Sequence, residues 1–183
     1  MELVPTLKLN GWLPLAAFYL VFGVLMLVSP REVVARLFSV SGWTRRQQLL
    51  SAAGKPFSLA SLGLLIFTPL KVGEPLLLIG GALFAAGFLG MMAALLSFRR
   101  TPAGQPVTGG LYRVSRNPQW VTLFTMFLGT CIATGSWAAF ALLLVGAGFY
   151  HFRILGEETA CLKQYGEPYR QYLARVPRYF LFL

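Results

Sequence analysis

From Pro75 to Phe98 the chain reads PLLLIGGALFAAGFLGMMAALLSF, without a charged side chain. A run of this length and character is a membrane-spanning helix, which needs about 20 apolar residues. Other apolar blocks stand on either side of it. Trp12 to Val28 comes first, with Trp12 where an interfacial belt places an aromatic ring. Phe57 to Leu70 is short for a span, and reaches the required length only by extending back toward Leu49, with Lys55 snorkelling or facing the protein. Trp120 to Thr134 and Trp137 to Phe152 are also short, and form a tight helical hairpin around Gly135-Ser136. Together the blocks predict an all-α integral membrane protein with about five transmembrane helices.

Composition supports the membrane class. Hydrophobic residues make up 56% and charged residues 12% of the chain, and mean hydropathy is +0.65. A soluble protein would carry about a quarter charged residues. The 183 residues suit a single membrane domain, 1–183, with three spans over 12–98 and a hairpin and tail over 99–183. The net charge of +10 does not indicate nucleic acid, because the cations flank apolar blocks and form no face of their own. Such loops meet anionic lipid headgroups and set orientation. Cys131 and Cys161 do not make a disulfide framework, and with no Cys-x-x-Cys or His cluster no metal is expected. Met1 to Asn10 lacks the basic n-region of a signal peptide.

Loop charges predict the topology. Arg31, Arg36, Arg45, Arg46 and Lys55 follow the first span against one acid, Glu32, and Arg99, Arg100, Arg113 and Arg116 follow the third with none. The turns at Lys71–Glu74 and Gly135-Ser136 carry almost no charge. Five spans then put both basic loops and the C-terminal tail in the cytoplasm and the N-terminus outside. Arg31 to Val40 has Val33, Val34, Leu37 and Phe38 on one side and is expected on the membrane surface. The tail from Arg153 turns polar and helical, giving a cytoplasmic C-terminal amphipathic helix whose last residues return to the membrane surface.

One polar island interrupts the apolar blocks, Gly109 to Trp120, GGLYRVSRNPQW. Gly109-Gly110 permits a free turn. Arg113 and Arg116 are three apart and share a face if that turn is helical. Pro118 suits the first turn of the next helix, with Asn117 placed to cap it. Two cations and a capping amide at a helix mouth can hold an anion; taken alone, two arginines at a membrane edge read as orientation anchors. On the same predicted side lie His151, Arg153 and the pair Glu157-Glu158, in a chain with six acidic residues, all Glu. Adjacent residues on a helix point about 100° apart, so one carboxylate can face a cavity while the other pairs with an arginine. A solvated helix start accounts for them equally well. There is no Ser/His/Asp set, no phosphate-binding glycine loop and no Rossmann domain.

Two separated blocks resemble the integral membrane methyltransferases of the isoprenylcysteine carboxyl methyltransferase and phospholipid methyltransferase superfamily. The first, there Gly-x-Tyr-x-x-x-Arg-His-Pro-x-Tyr, is here Gly110, Tyr112, Arg116, Asn117, Pro118 and Trp120. The second is Arg153-Ile154, Glu157-Glu158, Leu162, Gly166, Tyr169, Tyr172 and Val176-Pro177-Arg178, and the resemblance runs over roughly 75–180. Asn117 stands for the common His and Trp120 for the common Tyr; Asn-Pro is closer to the phospholipid-methylating branch. The resemblance implies S-adenosyl-L-methionine as methyl donor and a lipophilic acceptor: a prenylcysteine-like carboxylate, a phospholipid amine or a related molecule. It assigns the cofactor to Tyr112, Arg113, Arg116, Asn117, Trp120, His151, Arg153, Glu157, Glu158 and Tyr169, with Arg116, Asn117 and Glu158 at the reaction. Arginine would hold the donor's carboxylate, a glutamate its ammonium or ribose hydroxyls, and aromatic faces its adenine or sulfonium. A lipid-facing opening is expected between Pro75–Phe98, with Gly87 and Gly90, and the hairpin Trp120–Phe152; the alternative is that these glycines only let helices touch. Two further readings remain: an NADPH-dependent reductase of the sterol reductase type, which the tail around Cys161–Gly166 also resembles, and a non-enzymatic lipid-binding bundle.

Overall fold

The computed structural model describes residues 9–180. Within them the chain forms α1 (Trp12–Leu27), α2 (Arg31–Leu37), α3 (Arg45–Phe67), α4 (Pro75–Arg100), a 3-10 turn (Gly110–Arg113), α5 (Pro118–Thr134), α6 (Trp137–Tyr165) and α7 (Glu167–Arg175), and no strand. The expectation about a signal peptide falls largely on residues 1–8, and the return of the tail to the membrane partly on 181–183, outside the described residues.

Backbone hydrogen bonds tie distant segments into one end of the bundle. Gly11 N–H donates to the Thr68 carbonyl at 3.0 Å, Leu70 to Leu9 at 2.8 Å and Lys71 to Ala133 at 2.9 Å. The start of α1, the turn after α3 and the end of α5 therefore meet there. At the opposite end Arg99 donates to the Val28 carbonyl at 3.2 Å, and Arg36 to the carbonyls of Phe98 (2.8 Å) and Pro102 (3.1 Å). Arg36 thereby adds a charged donor to the Phe98 carbonyl in the last turn of α4, which also accepts from Thr101 N–H, and to the Pro102 carbonyl just beyond the helix. Its guanidinium also lies 4.2 Å from the Phe98 ring. The cation that the sequence places in an orienting loop is thus also a helix cap. α1, α3, α4, α5 and α6 each run from one end to the other.

Two helix pairs form the body, α4 on α5 and α3 on α6. A β-carbon on Gly80 or Gly129 would collide with backbone of the facing helix, and one on Gly87 with the backbone of Thr122 and Met126. Gly90 meets the Thr122 methyl in the same way. This is close helix approach through small residues. It overturns the part of the expectation that puts the opening at Gly87 and Gly90, because α5 fills the glycine stripe. In the second pair Gly54 lies against Phe149 and Gly146 against Ser58, and Ser61 donates to the Ala139 carbonyl at 2.8 Å.

α3 begins at Arg45, well before the apolar run, and carries Pro56 inside it. Thr44 and Gln47 form a reciprocal capping box that fixes this early start. The extension toward Leu49 is present, and Lys55 is exposed, not turned into the protein. α3, α4 and α6 are long and apolar enough to cross a membrane. α1 and α5 have 16 and 17 residues, about 24–26 Å at 1.5 Å per residue, short of a bilayer core of about 30 Å. α6 runs unbroken through the boundary the sequence suggested at Arg153, so Glu157 and Glu158 sit on the same helix as the apolar run. α7 buries Tyr169 and Tyr172 and exposes Glu167, Arg170 and Arg175.

Candidate active site

Gly110 has φ +62°, in the left-handed region that glycine enters freely. Its α-carbon also lies so near the Ser97 hydroxyl that a β-carbon would clash. The 3-10 turn that follows buries Tyr112 and leaves Arg113 exposed, while Arg116 is turned inward. Arg113 and Arg116 do not share a face, because helical geometry ends at Arg113. Pro118 occupies the first turn of α5 as expected, and Asn117 is the residue before it, but the Asn117 side chain makes no cap. Its Nδ2 instead donates to Glu158 Oε1 at 3.4 Å and to the Arg178 carbonyl at 3.3 Å.

Glu158 is the hub. It is 8% exposed. Arg178 meets it with Nη2 at 2.8 Å and Nε at 3.1 Å, and Arg116 Nε stands 3.4 Å away. The hydrogen bonds to Glu158 hold the Arg178 guanidinium above its already high pKa. The C-terminal tail is bound down beside it. Arg116 N–H donates to the Pro177 carbonyl at 2.9 Å, and Ser115 Oγ donates to the Arg178 carbonyl at 3.1 Å. Glu157, one residue earlier, points elsewhere and pairs with Arg153 at 2.8 Å, with 37% of its side chain exposed. The Arg153 guanidinium lies 5.2 Å from the Trp43 ring and 5.5 Å from the Tyr150 ring.

These groups open on a cavity of about 930 Å³. Its polar end has Arg116, Asn117, Arg153, Glu157 and Glu158; its apolar limb has Phe18, Phe22, Met91, Leu95, Leu123 and Phe127. Tyr112, Tyr169 and Tyr172 line the space between α4, α6 and α7. The Tyr172 hydroxyl donates to the Tyr112 carbonyl at 2.7 Å. Burial raises the pKa of all three phenols, so they serve as neutral donors. Arg36, Arg116 and Gln119 line the cavity, and each holds a buried N–H donor without a hydrogen-bond partner. For Arg116 that donor is Nε, whose approach to Glu158 is an ion pair without hydrogen-bond geometry. A cavity with such donors is suited to an oxygen-rich, anionic ligand group.

The structure therefore brings together eight of the residues singled out in sequence: Tyr112, Arg116, Asn117, Trp120, Arg153, Glu157, Glu158 and Tyr169. Arg113 and His151 lie outside the cavity lining. His151 Nδ1 is 2.7 Å from the Tyr179 hydroxyl. Sequence reasoning missed Arg178, Arg36, Gln119, Trp43 and Tyr150. Arg178 was within reach, as the end of the Val176-Pro177-Arg178 block. Gln119 likewise falls inside the first block, between Pro118 and Trp120; Arg36, Trp43 and Tyr150 carry no local signal, because helix packing alone brings them to the cavity.

The family model for phospholipid methyltransferases matches residues 76–168, from the first turn of α4 into α7 and just over half of the chain. The chain belongs to the phospholipid methyltransferase family. The matched span contains every polar residue named above except Arg36, Trp43 and the tail from Tyr169 onward. The chain matches no curated protein and no solved structure. As a family member it is a membrane methyltransferase, and its cavity is the candidate active site of this phospholipid methyltransferase relative.

Proposed function

We propose that the protein transfers a methyl group from S-adenosylmethionine to a lipophilic, membrane-resident acceptor. The observation that carries this reading is that one cavity, in a member of this family, joins a charged end to an apolar limb. When bound, S-adenosylmethionine supplies an electrophilic methyl group on a sulfonium, which a nucleophile displaces directly. The residues present fit it. Arg116 has an unsatisfied buried donor for a carboxylate. Glu157, half-exposed at the polar end, suits an ammonium or ribose hydroxyls. Trp120 and Tyr150, with ring centroids 6.0 Å apart, offer aromatic faces.

The chain's own part is alignment and exclusion of water. Arg116, Asn117 and Glu158 form the reacting end. Arg178 pins Glu158, so that carboxylate acts by position. Phe18, Phe22, Leu123 and Phe127 orient an aliphatic chain and keep water away. Asn117 cannot exchange a proton as histidine does, so the nucleophile arrives already deprotonated, as a carboxylate or a neutral amine, or loses its proton to Glu157 or to solvent.

We place all five end-to-end helices across the membrane, with the site cytoplasmic and the N-terminus outside. The basic end of the bundle supports this, and a thinned bilayer accommodates the short α1 and α5. The donor then enters from water through the cation-rich end. The test is to incubate purified protein with labelled S-adenosylmethionine and native lipid extract, and to identify the labelled product. S-adenosylhomocysteine should raise the melting temperature and NADPH should not. Stabilisation by NADPH alone would turn the reading to the reductase.

A further inference from the structure

We infer that Gln119 is a specificity-determining residue that donates a hydrogen bond to an oxygen of the acceptor. This rests on the reading that the apolar limb receives the acceptor. α5 divides its surface between two tasks. Thr122, Met126, Gly129 and Ala133 pack on the glycines of α4. Gln119, Leu123 and Phe127, spaced one turn apart, line the cavity. Gln119 is therefore the polar end of an otherwise apolar stripe, next to Arg116 and Asn117 in sequence and ahead of Leu123 and Phe127 along the helix. Its Nε2 is buried without a hydrogen-bond partner.

The Gln119 side chain lines the cavity, and a rotation of its amide brings the unpartnered Nε2 to an acceptor atom of the occupant, which satisfies it. An aliphatic chain lying along Leu123 and Phe127 has its head at Gln119. The oxygen met there is the one that joins head to chain: an ester carbonyl or a phosphate. A substrate site that hydrogen-bonds a ligand group rejects the analogue lacking it, because its own group is then left unpaired. Gln119 would thus select oxygen-linked lipids over simple alkyl amines or thiols, while the donor is held by Arg116 and Glu157.

The experiment measures binding of three amphiphiles of equal chain length to the full protein in nanodiscs: monopalmitoylglycerol, hexadecyl phosphate and hexadecylamine. Q119L should weaken the first or the second about tenfold and leave hexadecylamine within twofold. The affected probe identifies the oxygen. S-adenosylhomocysteine affinity should be unchanged in the same variant. Equal effects on all three probes, no effect on any, or loss of S-adenosylhomocysteine affinity with amphiphile binding intact would overturn the inference. If Q119L does not fold, Q119M takes its place. Should neither fold, wild-type protein that binds hexadecylamine as tightly as both oxygen-bearing probes would equally overturn it. Failure of the methyl-transfer reading is separate: wild type would not bind S-adenosylhomocysteine, whatever its amphiphile preference.

Discussion

Glu158 shows how one side chain acquires its role from partners that arrive from three places in the chain. Arg116 and Asn117 come from the loop before α5, Arg178 from the tail, and the carboxylate itself from α6. Removing one partner of a buried pair costs about 3–5 kcal/mol in fully buried cases; here Arg178 is 27% exposed, which lowers the figure. E158Q should therefore lower the melting temperature and weaken S-adenosylhomocysteine at least tenfold. N117A removes only long hydrogen bonds, of 3.4 and 3.3 Å, and should cost about 1 kcal/mol or less. Thermal melts with a ligand titration rank the two variants, and a larger loss in N117A would contradict the hub. The buried phenols make a second prediction. Tyr112, Tyr169 and Tyr172 have pKa values raised by desolvation in the folded state. Their contribution to stability is complete below the unfolded value of about 10 and is lost as pH rises through the folded one. Melting temperature in detergent should not fall on their account from pH 7 to 9 and should fall above about 10. Y172F should leave the Tyr112 carbonyl without its partner and flatten part of that fall.

At the scale of elements, the glycines of α4 separate into two kinds. Gly80 and Gly87 admit the backbone of α5, while Gly81 has open space around it. Adding a side chain to a packed contact of this sort costs about 1–3 kcal/mol or more. G87L should therefore disrupt the α4–α5 pair and elute as aggregate in fluorescence-detected size exclusion, whereas G81L should remain monodisperse. A well-folded G87L would mean that α4 and α5 are not packed as described. The same logic explains α3. The run Phe57–Leu70 by itself is short for a span, and the capping box at Thr44 together with packing against α6 carries the helix through Lys55 and Pro56 to a length that can cross.

Across the whole molecule, the end that holds Arg36, Arg99, Arg116, Arg153 and Arg178 is the end that holds the cavity's charged residues. One arrangement serves orientation and ligand binding together. A reporter fused after Leu183 should be active only as a cytoplasmic fusion, and a reporter in the turn at Val72 only as an external one. Activity of the two on the same side would remove the five-span arrangement.

The sequence by itself determined the membrane class, the helix character of each apolar block and the superfamily, because hydropathy, proline and glycine positions and two ordered motifs are local properties. It also placed most of the cavity's charged residues, since these fall within the motifs. Only the tertiary structure decided what each one faces. It turned Arg116 inward and Arg113 outward, moved Asn117 from helix capping to Glu158, set His151 against Tyr179 outside the cavity, and closed the α4–α5 seam. Those outcomes depend on which helices touch, and contacts between residues 40 or 60 positions apart leave no periodicity in a single chain to read. For Gln119 the limit is the same: the sequence shows a polar residue in a motif, and only packing shows that the residue lines the cavity and that its donor lacks a partner.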